Sequence, residues 1–244
     1  IYNEPNGINI NNGCGSTHLE ALQAKVLECG AAVGIANDGD ADRCLAVDEN
    51  GEVLDGDQIM LICALELMKK NKLSKNVLVT TVMSNVGLHK AMKEHGGSCV
   101  KTKVGDRYVL EEMIKSGYQL GGEQSGHIIF SEFSRTGDGI LTAVRLLGAV
   151  VRNNQPLSEM GALMKKYPQI LLNVRVADKQ GWEEKQKIKE IVSYYENVLG
   201  DNGQILVRAS GTEPLIRIMA EGPDQAQLET IAANIAEVVT KELA

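Results

Sequence analysis

Ala31-Ala32-Val33-Gly34-Ile35-Ala36-Asn37-Asp38-Gly39-Asp40-Ala41-Asp42-Arg43 is the stretch on which the reading of this chain turns. Through Ala36 it is a short apolar run of strand length. It then places carboxylates at positions 38, 40 and 42 and a guanidinium at 43. Side chains at i, i+2 and i+4 of an extended or looping backbone turn to one side. Three like charges so close together cost free energy unless a cation lies among them. Ligation by oxygen alone suits a hard divalent ion, Mg2+, Mn2+ or Ca2+, and matches zinc poorly. Arg43 beside such an ion prepares a place for a phosphate. The loop is therefore read as a metal site rather than a solvated acidic turn. An EF-hand is excluded although Glu49 falls at the twelfth loop position, because Arg43 occupies the sixth, where the sharp turn needs glycine. The flanks disagree as well: residues 45–54 read as a hairpin closed by Asn50-Gly51.

Outward from this loop, helical and strand patterns alternate, which predicts α/β layers. Helix is expected over 18–29, with Ser16 and Thr17 as caps, and over 57–70. The pattern restarts with strand 77–82, helix 88–95, strand 99–102, helix 108–115, strand 118–120, loops over 121–139 and helix 140–151. Past 168, strand 170–176, helix 182–195, strands 204–209 and 215–220 and helix 224–243 give β-α-β-β-α. The expected fold is thus α/β, as successive mixed-sheet domains followed by a small C-terminal α+β domain. The domains are placed at 1–75, carrying the metal loop, 76–167 and 168–244.

Composition narrows the class. The chain has 244 residues, 43% of them apolar, with a net charge of −7. No apolar run is long enough to span a bilayer, and no basic cluster offers a nucleic-acid surface. Five cysteines, without a CxxC pair, point to neither a disulfide framework nor a zinc site. A reducing, cytoplasmic setting is expected. His89 and His95 are expected at the surface of one helix.

Three more loops carry chemistry. Gly121-Gly122-Glu123-Gln124-Ser125-Gly126-His127 combines glycines that admit close approach with groups that can accept, donate and titrate, a kit for sugar hydroxyls. Arg208-Ala209-Ser210-Gly211-Thr212-Glu213-Pro214, with Arg217 on the next strand, brings hydroxyls, backbone N–H groups and guanidinium forks to one turn, as a phosphate requires. Lys103-Val104-Gly105-Asp106-Arg107 sets two cations about a glycine.

These four loops, in this order, resemble those of the α-D-phosphohexomutase family, and the resemblance runs the length of the chain. The stretch 38–43 is similar to the family's metal loop, 102–107 to its third-domain loop, 122–127 to its sugar loop and 208–214 to its phosphate loop. The Gln124 form of the sugar loop is nearest the bacterial branch that interconverts glucosamine 6-phosphate and glucosamine 1-phosphate for cell-wall precursors. The resemblance implies Mg2+ on Asp38, Asp40 and Asp42, with Arg43 near a phosphoserine. It implies sugar hydroxyls on Glu123 and Ser125, and the unreacting phosphate on Arg208, Ser210, Gly211, Thr212 and Arg217. Lys103 and His127 are the two candidates for general acid/base work. The family's nucleophilic serine lies in a Thr/Ser-Ala-Ser-His-Asn type loop that does not occur here, and Ser16 lacks that context. The resemblance thus implies a C-terminal part whose catalytic-serine domain precedes Ile1. Such a part is expected to be inactive alone and to bind Mg2+ weakly, with an open sheet edge in 1–75. A homodimer is left open. The alternatives are a phosphomannomutase/phosphoglucomutase and a module that binds sugar phosphate and metal without turnover.

Overall fold

A computed structural model describes residues 1–243, which fall into two compact units, Ile1–Lys165 and Lys166 onwards. In the first, α1 (Glu20–Cys29) leads into β1 (Val33–Asn37), β2 (Cys44–Asp48) and β3 (Val53–Leu54), an antiparallel sheet in that order. The Asn50-Gly51 turn closes its hairpin: Asp48 accepts from the N–H groups of Asn50 and Glu52, and Gly51 takes the left-handed φ of +84°. β1 pairs with β2 alone, so it is an edge among the described residues.

Next come α2 (Gly56–Lys69), β4 (Val77–Thr81), α3 (Val86–Glu94), β5 (Ser98–Thr102), α4 (Asp106–Ser116), β6 (Leu120–Gly122), β7 (Ile128–Phe130), α5 (Gly139–Asn153) and α6 (Leu157–Gly161). They build a sheet ordered β5-β4-β6-β7, parallel except for β7. α2 starts with a capping box between Asp55 and Gln58 and is apolar nearly all round. It is therefore the buried centre of the unit. Ile59, Met60, Leu61 and Ile62 share one core with Ala46 and Leu54 of the first sheet and with Leu78 and Leu120 of the second. The expected boundary at residues 75–76 falls inside this unit.

The second unit is β8 (Gln169–Arg175), α7 (Gln186–Leu199), β9 (Gln204–Ala209), β10 (Leu215–Glu221) and α8 (Gln225–Glu242), the β-α-β-β-α order expected. Its antiparallel sheet runs β8-β10-β9, and Ile216, Ile218 and Ala220 of the central strand face the apolar sides of both helices. The opposite side of the sheet carries the row Asn173–Arg217–Arg208, one residue from each strand in direct register.

Several local expectations are corrected. Ser16 and Thr17 do not cap α1, which begins at Glu20 without a side-chain cap. The strand expected at 118–120 lies at 120–122, because Gly121 and Gly122 are themselves strand residues. A Cβ on Gly121 would sit 2.7 Å from the Met113 sulfur, so the strand needs glycine where α4 crosses it. β7 lies within the segment expected to be loop. α7 begins at Gln186 rather than 182, since Lys185 is extended. All five cysteines are free thiols, and no described helix is long and apolar enough to cross a membrane.

His89 is not a surface residue either. Burial, with the Lys101 ammonium nearby, pushes its ring down to about 4, against a backbone hydrogen bond with Ser84. The unfolded chain, with an ordinary histidine near 6.5, then holds the proton more tightly than the folded one. Stability is expected to be full above about 6.5 and to decline as the pH falls toward about 4. In denaturant unfolding across that window, His89→Gln should flatten the decline. An unchanged slope would contradict the assignment.

Candidate functional site

The acidic loop bridges β1 and β2, and it is held from both ends and from outside. Asn37 donates its side-chain amide to the Arg43 carbonyl at 2.7 Å, closing the loop at its base. The Arg43 N–H donates to Asp38 Oδ1 at 3.2 Å. Ala41 adopts a left-handed φ of +58°, which costs a residue with a Cβ about 1–2 kcal/mol. Its carbonyl accepts from the Gly139 N–H at the start of α5, at 2.8 Å. One ligand oxygen from each of Asp38, Asp40 and Asp42 lies within 4.8 Å of the others.

Charge is unbalanced there. Arg43 Nε stands 3.5 Å from Asp38 Oδ2 and 3.7 Å from Asp42 Oδ1, an ion pair without a hydrogen bond. Asp42 Oδ1 is buried and has no hydrogen-bond donor among the described residues. Burial raises the Asp42 carboxyl above the usual range, and the charges of Asp38 and Asp40 add to that, while His127 opposes it. The side chains present therefore fit a hard divalent cation: an all-oxygen set, mutually repelling, with one oxygen unsatisfied.

The loop at 121–127 is fastened to the acidic one. Arg43 and His127 form an antiparallel bridge, and the Cys44 N–H donates to the Gly126 carbonyl at 3.0 Å. Gly126 has φ +93°, and a Cβ on it would lie 2.4 Å from the Cys44 carbonyl oxygen, so only glycine serves. Gln124 anchors the other side, accepting from the Gly56 N–H at 2.9 Å and donating to Asp55 at 3.4 Å. Glu123 Oε1 accepts from the Gly105 N–H at 2.9 Å, which ties in the 103–107 loop. Ser125 and Lys103 are exposed.

His127 is 4% exposed. Its Nε2 accepts from the Gly137 N–H at 3.2 Å and stands 3.5 Å from Asp42 Oδ2. The imidazole thus holds the acidic loop against the approach to α5. A cleft of about 1060 Å3 opens beside the acidic loop, where Ile10 lies over Gly39 and Ile35 and Leu22 form a wall.

In the second unit, Arg208 and Arg217 are directly opposed across β9 and β10. Like charges in that position are unfavourable unless an anion lies between them. Arg217 Nη2 reaches Ser210 Oγ at 3.5 Å and Glu213 Oε2 at 3.3 Å, and its buried Nε has no hydrogen-bond partner among the described residues. Ser210 is buried, and Gly211 and Thr212 are exposed at the turn. Lys179, which sequence patterning did not single out, donates to the carbonyls of this turn.

Comparison with known proteins bears on the family. The family model "Phosphoglucomutase/phosphomannomutase, alpha/beta/alpha domain III" matches residues 55–167, and the model of the C-terminal domain matches 171–238. The chain belongs to the phosphohexomutase family. A phosphoglucosamine mutase of Symbiobacterium thermophilum is 60% identical over 239 residues, covering 98% of this chain and 54% of that protein. One from Brevibacillus brevis is 54% identical over 98% of this chain and 53% of that protein. The chain thus spans about half the length of these phosphohexomutase relatives. Among solved structures, the Aspergillus fumigatus N-acetylphosphoglucosamine mutase in complex with GlcNAc-6P and magnesium matches with a TM-score of 0.73 at 22% identity, covering 96% of this chain and 54% of that one. A Burkholderia thailandensis phosphoglucomutase/phosphomannomutase family protein also gives 0.73, at 23% identity over 92% of this chain and 50% of that one. These are likenesses of fold.

Residues that pattern reading missed are mostly those that hold the loops. Asn37 directly precedes the first aspartate, and Gly137 and Gly139 frame Asp138, the N-cap of α5. A Cβ on Gly137 would lie 2.5 Å from the His127 ring. Gly137→Ala is expected to destabilise the first unit by about 1–3 kcal/mol through overpacking. Denaturant unfolding measures this, and a change below about 0.5 kcal/mol would show that the loop yields freely.

Proposed function

We propose that this chain supplies the metal, sugar and phosphate loops of a mutase that interconverts glucosamine 6-phosphate and glucosamine 1-phosphate. The nucleophilic serine of that enzyme comes from a segment preceding residue 1. The observation that carries the chemistry is the cluster of Asp38, Asp40 and Asp42 oxygens within 4.8 Å beside Arg43. The substrate branch rests on the likeness to phosphoglucosamine mutases.

In this reading Asp38, Asp40 and Asp42 hold Mg2+, which when bound neutralises charge on the phosphoryl group in transfer. Arg43 lies beside that position and pairs with phosphoryl oxygens. Glu123 Oε1 accepts from the Gly105 N–H and its Oε2 accepts from the Ser125 hydroxyl at 3.5 Å, which sets the carboxylate and the exposed hydroxyl side by side to meet sugar hydroxyls. Arg208 and Arg217, with Ser210 and the turn at Gly211 and Thr212, grip the phosphate that is not reacting. Between a bisphosphate's two half-reactions those ends exchange, so the gripping loop must recognise a phosphate and not a particular carbon of the sugar. Proton transfer falls to Lys103, since it is exposed whereas His127 Nε2 already accepts from Gly137. Alone, the chain turns over no substrate.

The complete protein, assayed with the 6-phosphates of glucosamine, glucose and mannose, is expected to favour the glucosamine compound. Preference for glucose or mannose would move it to the phosphomannomutase/phosphoglucomutase branch, and turnover by the 244-residue chain alone would overturn the need for an outside serine. Asp40→Ala should abolish metal-dependent turnover without lowering the thermal midpoint, because it removes a repelling charge. Retained Mg2+-dependent turnover would contradict the metal assignment. Arg208→Ala should weaken substrate binding by about 1.5–3 kcal/mol, read as a rise in KM, through lost charge-assisted hydrogen bonds. An untouched KM would remove Arg208 from the phosphate site.

A further inference from the structure

The turn at 210–213 has an ammonium beneath it. Lys179 Nζ lies 2.6 Å from the Ser210 carbonyl oxygen, 3.0 Å from that of Glu213 and 3.5 Å from that of Gly211. Its three donors thus each face a carbonyl. Lys179 is itself held in place. The Val176 N–H donates to the Pro214 carbonyl at 3.1 Å, and Asp178 accepts from the Gln180 N–H at 2.8 Å, closing a turn with Lys179 at its middle.

A trans peptide sets its C=O and N–H in opposite directions. The Ser210 carbonyl shares a peptide plane with the Gly211 N–H, and the Gly211 carbonyl shares one with the Thr212 N–H. Turning both carbonyls toward the ammonium turns both N–H groups the other way. The third carbonyl, of Glu213, is bonded to Pro214, which has no N–H to aim. The turn's other amides are occupied: Ser210 N–H by the Leu215 carbonyl at 2.8 Å and Glu213 N–H by Ser210 Oγ at 3.3 Å. Among the described residues neither the Gly211 nor the Thr212 N–H has an acceptor. Successive outward N–H groups of this kind form an anion-binding concavity.

We propose that Lys179 is a positioning residue of the phosphate site: it holds the turn with its carbonyls inward, so that the Gly211 and Thr212 N–H groups receive a phosphate monoester beside Arg208 and Arg217. The ammonium does not itself touch the ligand. This rests on the reading of 208–217 as a phosphate site, and the test separates the two.

The 244-residue chain, labelled with 15N, is titrated with inorganic phosphate and followed by NMR. The wild type is expected to show saturable shifts at the Gly211 and Thr212 amides. Lys179→Met should move those two amides in the ligand-free spectrum, leave the β10 core amides in place and weaken phosphate binding at least about tenfold. Lys179→Arg should restore most of the affinity. If Lys179→Met fails to fold, Lys179→Gln, which keeps donors without the charge, takes its place. Binding within about twofold of wild type, with the same Gly211 and Thr212 shifts, overturns the positioning role while the phosphate site stands. Wild-type shifts elsewhere and none at these amides overturn the phosphate site, and the proposal with it.

Discussion

Three carboxylates that repel one another must be kept within ligand distance in a partly buried loop, and the first unit is arranged around that constraint. Repulsion alone would splay the loop 38–43. The fold opposes it with backbone ties: Asn37 across the loop's base, Gly139 on Ala41, and the bridge of Arg43 to His127. Each tie comes from a different element, so β1 and β2, the β6–β7 turn and the start of α5 must all be in place before the acids are gathered. α2 makes that possible, because its buried length joins both sheets into one core and its first turn anchors Gln124.

The second unit meets the mirror-image problem with the same means. Arg208 and Arg217 are directly opposed across β9 and β10, a like-charge pair relieved only in part by the Glu213 carboxylate at 3.3 Å from Arg217. Strand register enforces this proximity, and loop ties that of the aspartates. In both places a like-charge cluster is held by backbone structure whose stability comes from apolar burial elsewhere, at Ile216 and Ile218 in one unit and Ile59 to Ile62 in the other. A site preorganised in this way is short of the opposite charge before its ligand arrives, which is the condition for strong electrostatic stabilisation.

Much of this was legible in the residues. Asp38, Asp40 and Asp42 declare their convergence through spacing alone, and the alternation of helix and strand periods predicts both kinds of unit. What escaped did so for physical reasons. Gly121 and Gly122 read as loop because glycine has no strand preference, yet they are strand residues whose missing side chains admit α4 and Met60. His127 reads as one more polar group of the sugar loop; only the hydrogen bond from the Gly137 N–H and the bridge to Arg43 show it packed inside. Lys179 lies about thirty residues from the turn it supports, and a single lysine in a polar loop carries no periodic signal. Contacts between distant loops are where one-dimensional pattern carries least.

The central claim is that the acidic loop is already assembled as a divalent-cation site by its neighbours within this chain. Paramagnetic broadening of the amide spectrum by substoichiometric Mn2+ tests it most directly, because broadening falls off steeply with distance and reads weak binding. The account predicts selective loss of the amides of Asp38 to Arg43, with those of Gly126, His127 and Gly139 broadened next, and the same pattern suppressed by added Mg2+. Broadening spread over the protein's scattered surface acids, with the 38–43 amides unaffected, would contradict it.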